Sequence, residues 1–89
     1  MINVTDRARE RLKEVRDSQV ERADATLRLG PTRQGDLGVF PDTAKLGDQV
    51  VERDGAPVLL IAPDLALKLA GATIDYEQEG ESTRFTLRR

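Results

Sequence analysis

The sequence predicts an α+β fold, a single small domain with a mixed or antiparallel β-sheet and two helices, and three observations carry that prediction. A charged segment near the N-terminus repeats its apolar residues with helical spacing. An Asp54-Gly55 turn joins two β-prone runs in the middle of the chain. Two alternating segments flank Gln78-Glu79-Gly80-Glu81 close to the C-terminus. The 89 residues are read as one domain, 1–89. A chain of this length supports one core, burying about 60 to 65% of the unfolded surface.

Ile2 to Val4 reads as a short strand, and Thr5 as a helix N-cap whose hydroxyl accepts a first-turn N–H. Asp6 adds favourable charge there. From Asp6 to about Asp17, Ala8, Leu12 and Val15 fall at i, i+4 and i+7 and define the buried face of a helix. Arg9, Lys13 and Arg16 form a second stripe, read as solvent-facing and supported by i, i+3 pairs of Asp6 with Arg9 and Glu10 with Lys13. Ser18 to Asp24 reads as a polar connection. Ala25 to Leu29 then alternates, with Leu27 and Leu29 inward and Thr26 and Arg28 outward, as a half-buried strand does.

Residues 30 to 48 break the alternation. Gly30, Pro31, Gly35, Gly38, Pro41 and Gly47, with Gln34, Asp36 and Asp42 between them, predict little regular structure. A loop of that length in so small a domain is the first place to seek a functional site.

Gln49 to Arg53, the Asp54-Gly55 turn and Pro57 to Ile61 read as a hairpin. Val58-Leu59-Leu60-Ile61 does not alternate, so that strand is expected to be buried on both faces. Pro63 opens a short helix carrying Leu65, Ala66, Leu69 and Ala70 on one side, and Gly71 ends it. Ala72 to Glu77 and Ser82 to Arg88 form the last hairpin, with Ile74, Tyr76, Phe85 and Leu87 inward.

Composition removes several function classes. There is no cysteine and no histidine, the side chains that bind soft and borderline metals and supply most nucleophilic and proton-shuttling chemistry near neutrality. With 14 basic and 16 acidic residues the net charge is -2, which gives no long-range attraction to nucleic acid or an anionic membrane. No run approaches the roughly 18 apolar residues of a membrane span, and no signal-peptide stretch is present. The expectation is a soluble, cytoplasmic protein. Aromatic residues are only Phe40, Tyr76 and Phe85, so the core must be aliphatic and stabilised by packing alone.

The remaining polar groups form no catalytic set. Glu77, Glu79 and Glu81 read as a solvated turn, and no glycine loop carries the Gly-Lys-Ser/Thr of a phosphate cradle. Arg33, at the centre of the glycine-rich loop, is suited to an anionic partner.

Three segments together resemble a known family. Asp54-Gly55-Ala56-Pro57-Val58-Leu59-Leu60-Ile61-Ala62-Pro63, Leu69-Ala70-Gly71-Ala72-Thr73-Ile74-Asp75-Tyr76 and the opening Ile2-Asn3-Val4-Thr5-Asp6-Arg7-Ala8 resemble the HesB/IscA family of A-type iron-sulfur cluster carriers. Leu27-Arg28-Leu29-Gly30 is similar to the strand leading into that family's first ligand loop. The resemblance covers most of the chain around a shortened middle. It implies three cysteines, one in a Gly-Cys-Ser-Gly loop and two in a Cys-Gly-Cys tail, holding iron or a cluster between subunits. In this pattern Gly35-Asp36-Leu37-Gly38 corresponds to the loop and Asp36 stands at the first cysteine position, while Arg88-Arg89 falls before the tail.

Iron-sulfur clusters are held by thiolates, or occasionally imidazoles, and a lone carboxylate is a poor substitute. The expected function is therefore a non-enzymatic domain that has lost cysteine ligation, with an accessory or interaction role linked to iron-sulfur cluster assembly. No cofactor is expected, and the expected partners are a protein or a second copy of the chain, with no nucleic acid or membrane. The expected surface comprises Arg33, Gln34, Gly35, Asp36, Leu37, Gly38 and Phe40, with Leu37, Val39 and Phe40 as anchors; Phe40 reads equally as a cap on the core. The alternative is a carboxylate-based iron or hard-cation site in which Asp36 is joined by Asp42 or Asp48, across a homodimer. An enzyme with unrecognised carboxylate chemistry ranks last, and would require a deep pocket holding a carboxylate of raised pKa.

Overall fold

The structure, a computed structural model, describes residues 2–31, 37–80 and 82–88. Its elements run β1 (Asn3–Val4), α1 (Asp6–Gln19), β2 (Ala25–Pro31), β3 (Leu37–Thr43), β4 (Gln49–Arg53), β5 (Ala56–Ile61), α2 (Pro63–Lys68), β6 (Thr73–Glu79) and β7 (Ser82–Arg88). The strands form two sheets, one ordered β1-β6-β7 and the other β3-β2-β5-β4. β1 is parallel to β6 and β2 to β5, while the β2–β3, β4–β5 and β6–β7 pairs are antiparallel. The fold is thus α+β with two mixed sheets and two helices.

α1 crosses between the sheets, packing against β6 on one side and β2, β4 and β5 on the other. Its Ala8 and Leu12 are buried, and they join Ile2, Val4, Leu27, Leu29, Val51, Val58, Leu59, Ile61 and Ile74 in one aliphatic core. Thr5 caps the helix, its hydroxyl accepting the Ala8 N–H at 3.3 Å. Val58 to Ile61 are fully buried, as the missing alternation requires. A register shift between Val51 and Glu52 lets β4 follow Val58, which has no direct opposite.

The polar stripe of α1 behaves differently from its reading as a solvated face. Arg9 donates from Nη1 to the Glu52 carbonyl at 2.7 Å and from Nε to the Val4 carbonyl at 3.2 Å. Arg16 donates to the Pro57 carbonyl at 2.8 Å. These guanidiniums donate to backbone carbonyls of β1, β4 and β5 and fasten the helix to both sheets. The i, i+3 ion pair on the helix is Arg11 with Glu14 at 3.0 Å, and Asp6 reaches Arg53 at 3.9 Å.

The larger correction concerns residues 30 to 48. β2 continues to Pro31, and Leu37–Thr43 is a regular strand in register with it, from Pro31↔Leu37 to Ala25↔Thr43. The glycines and prolines do not break this hairpin because β3 is the sheet's edge. An edge strand has one side unpaired and tolerates Pro41. Gly30 faces Gly38 across the ladder, and a Cβ placed on Gly30 would lie 2.7 Å from Phe40 Cε1, so the glycine makes room for the Phe40 ring.

α2 is shorter than expected, ending at Lys68, and the chain turns through Gly71, whose φ of +83° suits glycine. In the last hairpin Ile74 pairs with Leu87 and Tyr76 with Phe85. The Tyr76 and Phe85 rings lie 5.5 Å apart, whereas Leu87, near the strand end, is 36% exposed.

Candidate interaction site on the β2–β3 hairpin

Alternation along β2 and β3 divides the hairpin into two faces. Leu27 and Leu29 enter the core, and Leu37 and Val39 pack against it. The opposite face carries Thr26, Arg28 and Gly30 from β2, with Gly38, Phe40 and Asp42 aligned opposite them on β3. Phe40 is 45% exposed on this outer face, so it presents its ring outward and does not cap the core. Of the expected surface, the structure therefore brings Gly38 and Phe40 to the outer face and assigns Leu37 and Val39 to packing. Arg33, Gln34, Gly35 and Asp36 lie outside the described residues.

Beside Phe40 is a buried charge network that links three segments. Arg28 donates from Nε to Asp42 Oδ2 at 2.6 Å, and from Nη1 and Nη2 to the two Asp48 oxygens at 3.0 and 2.7 Å. Nη2 also reaches the Thr43 carbonyl at 3.2 Å. The side chains of Arg28 and Asp48 are only 8% and 2% exposed. Burial on this scale is sustained because all three nitrogens of the guanidinium donate, in four hydrogen bonds, three of them to carboxylates. The fork to Asp48 holds the Arg28 proton more tightly than in water, against the cost of desolvation. Asp48 is held below the usual carboxylate range chiefly by Arg28. Asp42 is also lowered, first by the Thr43 N–H it accepts at 2.8 Å and then by Arg28.

Asp48 extends the network into the next turn. It accepts the Lys45 N–H at 2.7 Å, and its own N–H donates to the Lys45 carbonyl at 3.1 Å. The turn is thus fixed at its base, and Leu46 stands fully exposed at its tip. Asp42 and Asp48, the co-ligands envisaged for Asp36, are both hydrogen-bonded to Arg28. Among the described residues no cluster of three or more carboxylates could hold a metal ion.

A second buried carboxylate, Asp75, lies at the start of α1. It accepts the Thr5 hydroxyl at 2.6 Å, Arg7 Nε and Nη2 at 2.7 and 2.6 Å, Arg88 Nη2 at 3.1 Å and the Tyr76 N–H at 2.8 Å. Arg7 first, and Thr5 second, hold it far below the usual carboxylate range. A carboxylate so surrounded by donors has no tendency to take a proton near neutrality. Its role is to tie the start of α1 to β6 and β7. Asp42, Asp48 and Asp75 are all shifted toward the ionised form, the reverse of the raised carboxylate that an enzyme reading needs. An open depression of about 450 Å3 lies between α1 and β6, lined by Arg7, Glu10, Arg11, Glu14, Tyr76 and Gln78, and lacks the depth to enclose a substrate.

Sequence reasoning missed both networks. Arg28 was legible only as an outward residue on an alternating strand, and its partners lie 14 and 20 residues away. Once β3 is recognised as a strand, register places Asp42 one diagonal step from Arg28, and that is the signal that could have found the pair.

No family profile matches the sequence, and no curated protein aligns with it. The similarity lies in the fold. Over 99% of this chain and 84% of the other, it superposes on the crystal structure of Escherichia coli SufA, involved in biosynthesis of iron-sulfur clusters, with a TM-score of 0.69 and 22% identity. IscA with the [2Fe-2S] cluster matches over 100% of this chain and 85% of its own, with a TM-score of 0.62 and 20% identity. The chain thus has the HesB/IscA-like fold of the A-type carriers, and it builds that fold without a single cysteine.

Proposed function

We propose that this protein is a non-enzymatic interaction module on the A-type carrier fold, acting in iron-sulfur cluster assembly without ligating a cluster itself. The observation that carries this reading is the conjunction of a structural match to SufA over 99% of this chain with a sequence that contains neither cysteine nor histidine. Without thiolate or imidazole, no side chain here can replace the usual donors to cluster iron. What the fold retains is a shape and a surface.

The surface supported best is the outer face of the β2–β3 hairpin. Phe40 offers a half-exposed aromatic ring, a residue type enriched at protein interfaces. Gly30 seats that ring against β2, which fixes the direction in which it is presented. The Arg28 network holds the strand root and the Leu46 turn in one arrangement, which reduces the ordering cost of binding. The cytoplasm, the compartment expected from the sequence, is also where such a role would be exercised. The alternative, a hard-cation site built on Asp36, would have to displace Arg28 from Asp42 or Asp48, and nothing in the geometry favours that exchange.

The test is binding of the purified protein to purified carrier and scaffold proteins of iron-sulfur assembly, read by calorimetry. The expected result is saturable binding to one of them, weakened at least tenfold by Phe40→Asp. Absence of binding to every component, or binding indifferent to Phe40→Asp, would overturn the reading.

A further inference from the structure

We infer that Arg7 and Arg88 form a binding site for a small organic phosphate monoester, with the phosphoryl group on the two guanidiniums and the organic group in the depression between α1 and β6. The balance of charge supplies the first argument. Arg7 Nη2 and Arg88 Nη2 donate to the same oxygen, Asp75 Oδ2, at 2.6 and 3.1 Å. Two cations thus meet at one carboxylate, whose single charge balances only one of them. On the same face of the β6–β7 ladder Arg84 stands opposite Glu77, and Glu77 also acts on Arg7 through its charge. With Arg7, Arg84 and Arg88 set against Asp75 and Glu77, the patch keeps an excess positive charge.

The second argument lies in what the two guanidiniums leave unused. Arg7 spends Nε and Nη2 on the two Asp75 oxygens, at 2.7 and 2.6 Å, and keeps the edge formed by Nη1 and the second hydrogen of Nη2. Arg88 spends one hydrogen of Nη2 and likewise keeps a whole edge. Among the described residues neither edge meets an acceptor. The Arg7 and Arg88 side chains are 63% and 62% exposed and that of Asp75 only 3%, so the bound carboxylate lies inside and the free donors face solvent. Each such edge takes two oxygens in parallel N–H···O bonds. A carboxylate has two oxygens and fills one edge. A phosphoryl group presents three acceptor oxygens and spans both.

The pair is set in place before any ligand arrives. Asp75 also accepts the Thr5 hydroxyl at 2.6 Å and the Tyr76 N–H at 2.8 Å, so the carboxylate that gathers the two arginines is itself fixed to the start of α1 and to β6. Arg7 further lines the open depression of about 450 Å3, which Tyr76 lines as well. A group esterified to a phosphate on Arg7 lies against the Tyr76 side chain there. An open depression suits a ligand held by charge at one end and not enclosed. The site belongs to the three-stranded sheet and the hairpin surface to the other, so its failure would leave the proposed function standing, and the reverse.

Titration of the isotope-labelled protein with phenyl phosphate, inorganic phosphate and acetate at constant ionic strength, read by amide chemical shifts, tests it. The expected result is saturable shifts at Asp75, Tyr76 and Arg88 with phenyl phosphate, weaker saturation with inorganic phosphate, and none with acetate over the same range. Arg88→Gln is expected to weaken phenyl phosphate binding about tenfold. Arg88→Lys, which keeps the charge and loses the planar edge, should weaken it by a comparable factor. Asp75 retains its Thr5, Arg7 and Tyr76 donors in both variants, so the circular dichroism should not change. The comparison of the three anions uses the unaltered chain and does not depend on how a variant folds. Equal responses to acetate and phosphate, inorganic phosphate binding as tightly as the ester, shifts that never saturate, or binding indifferent to a folded Arg88→Gln would overturn the proposal.

Discussion

Arg28 and Asp48 stand 20 residues apart and are joined by two parallel hydrogen bonds of 3.0 and 2.7 Å, both side chains almost wholly withdrawn from water. The pair, completed by Asp42, fixes the root of the β2–β3 hairpin to the turn that presents Leu46. A hairpin at a sheet edge would otherwise have only one ladder to hold it. The network gives it a second attachment.

Removing Arg28 is accordingly expected to be costly. Arg28→Ala would leave Asp48 buried without its cation, and a loss of about 3 kcal/mol is expected for breaking such a pair. In a domain of this size that corresponds to a fall in Tm of roughly 12 to 24 °C. Urea unfolding of the variant beside the parent checks it, and a loss below about 1 kcal/mol would show that the network is not a structural tie.

The pH dependence follows from the same groups. Asp42, Asp48 and Asp75 are all held in the folded protein below the ordinary carboxylate value of 3.8 that describes them in the unfolded chain. Their contribution is fully present above the unfolded value and is lost as pH falls through the folded ones. Stability should be flat from about pH 8 to 5 and decline progressively below about pH 4. Asp75→Asn should lower stability at neutrality and flatten the acid limb. Thermal melts from neutrality to the acid limit test both, and a stability that rises on acidification would contradict the assignment.

Gly30 and Phe40 should be energetically coupled. Gly30→Ala places a methyl where the ring lies, and displacing the ring is expected to cost about 1 to 2 kcal/mol. In a Phe40→Ala background the same substitution should cost little. A double-mutant cycle by urea denaturation measures the coupling. Additivity of the two changes would mean that the ring does not lie over Gly30.

Thr5 has two roles, accepting the Ala8 N–H and donating to Asp75. Thr5→Ala should destabilise by about 1 kcal/mol or somewhat more, and Thr5→Ser should restore most of the loss. Equal losses in both variants would assign the effect to the methyl group instead of the hydroxyl.

Much of this architecture was legible in the sequence because local signals and burial agreed. Thr5 before an Ala8-Leu12-Val15 face, the Asp54-Gly55 turn beside an unbroken apolar run, and Pro63 at a helix start each stand for one element. β3 was not legible because Gly38 and Pro41 normally punctuate chains, and their tolerance here depends on edge position, which is a property of the sheet and not of the segment. Arg28, Asp42 and Asp48 looked like ordinary surface charges since nothing local brings them together. Asp75 sat inside the Gly71-Ala72-Thr73-Ile74-Asp75-Tyr76 run that marks the fold, but its partners Thr5 and Arg7 lie at the other end of the chain. Which apolar residues of the hairpin face outward was decided only by the register, which no local pattern between Gly30 and Gly47 discloses.

The central claim is that an A-type carrier fold acts here without holding a cluster. Anaerobic reconstitution with ferrous iron and sulfide, followed by visible absorption and size-exclusion chromatography of the same sample, tests it most directly. The account predicts a colourless protein with an unchanged elution position. A coloured, stoichiometric complex that survives the column would contradict it, and would mean that carboxylates or an unforeseen arrangement of this chain ligate iron after all.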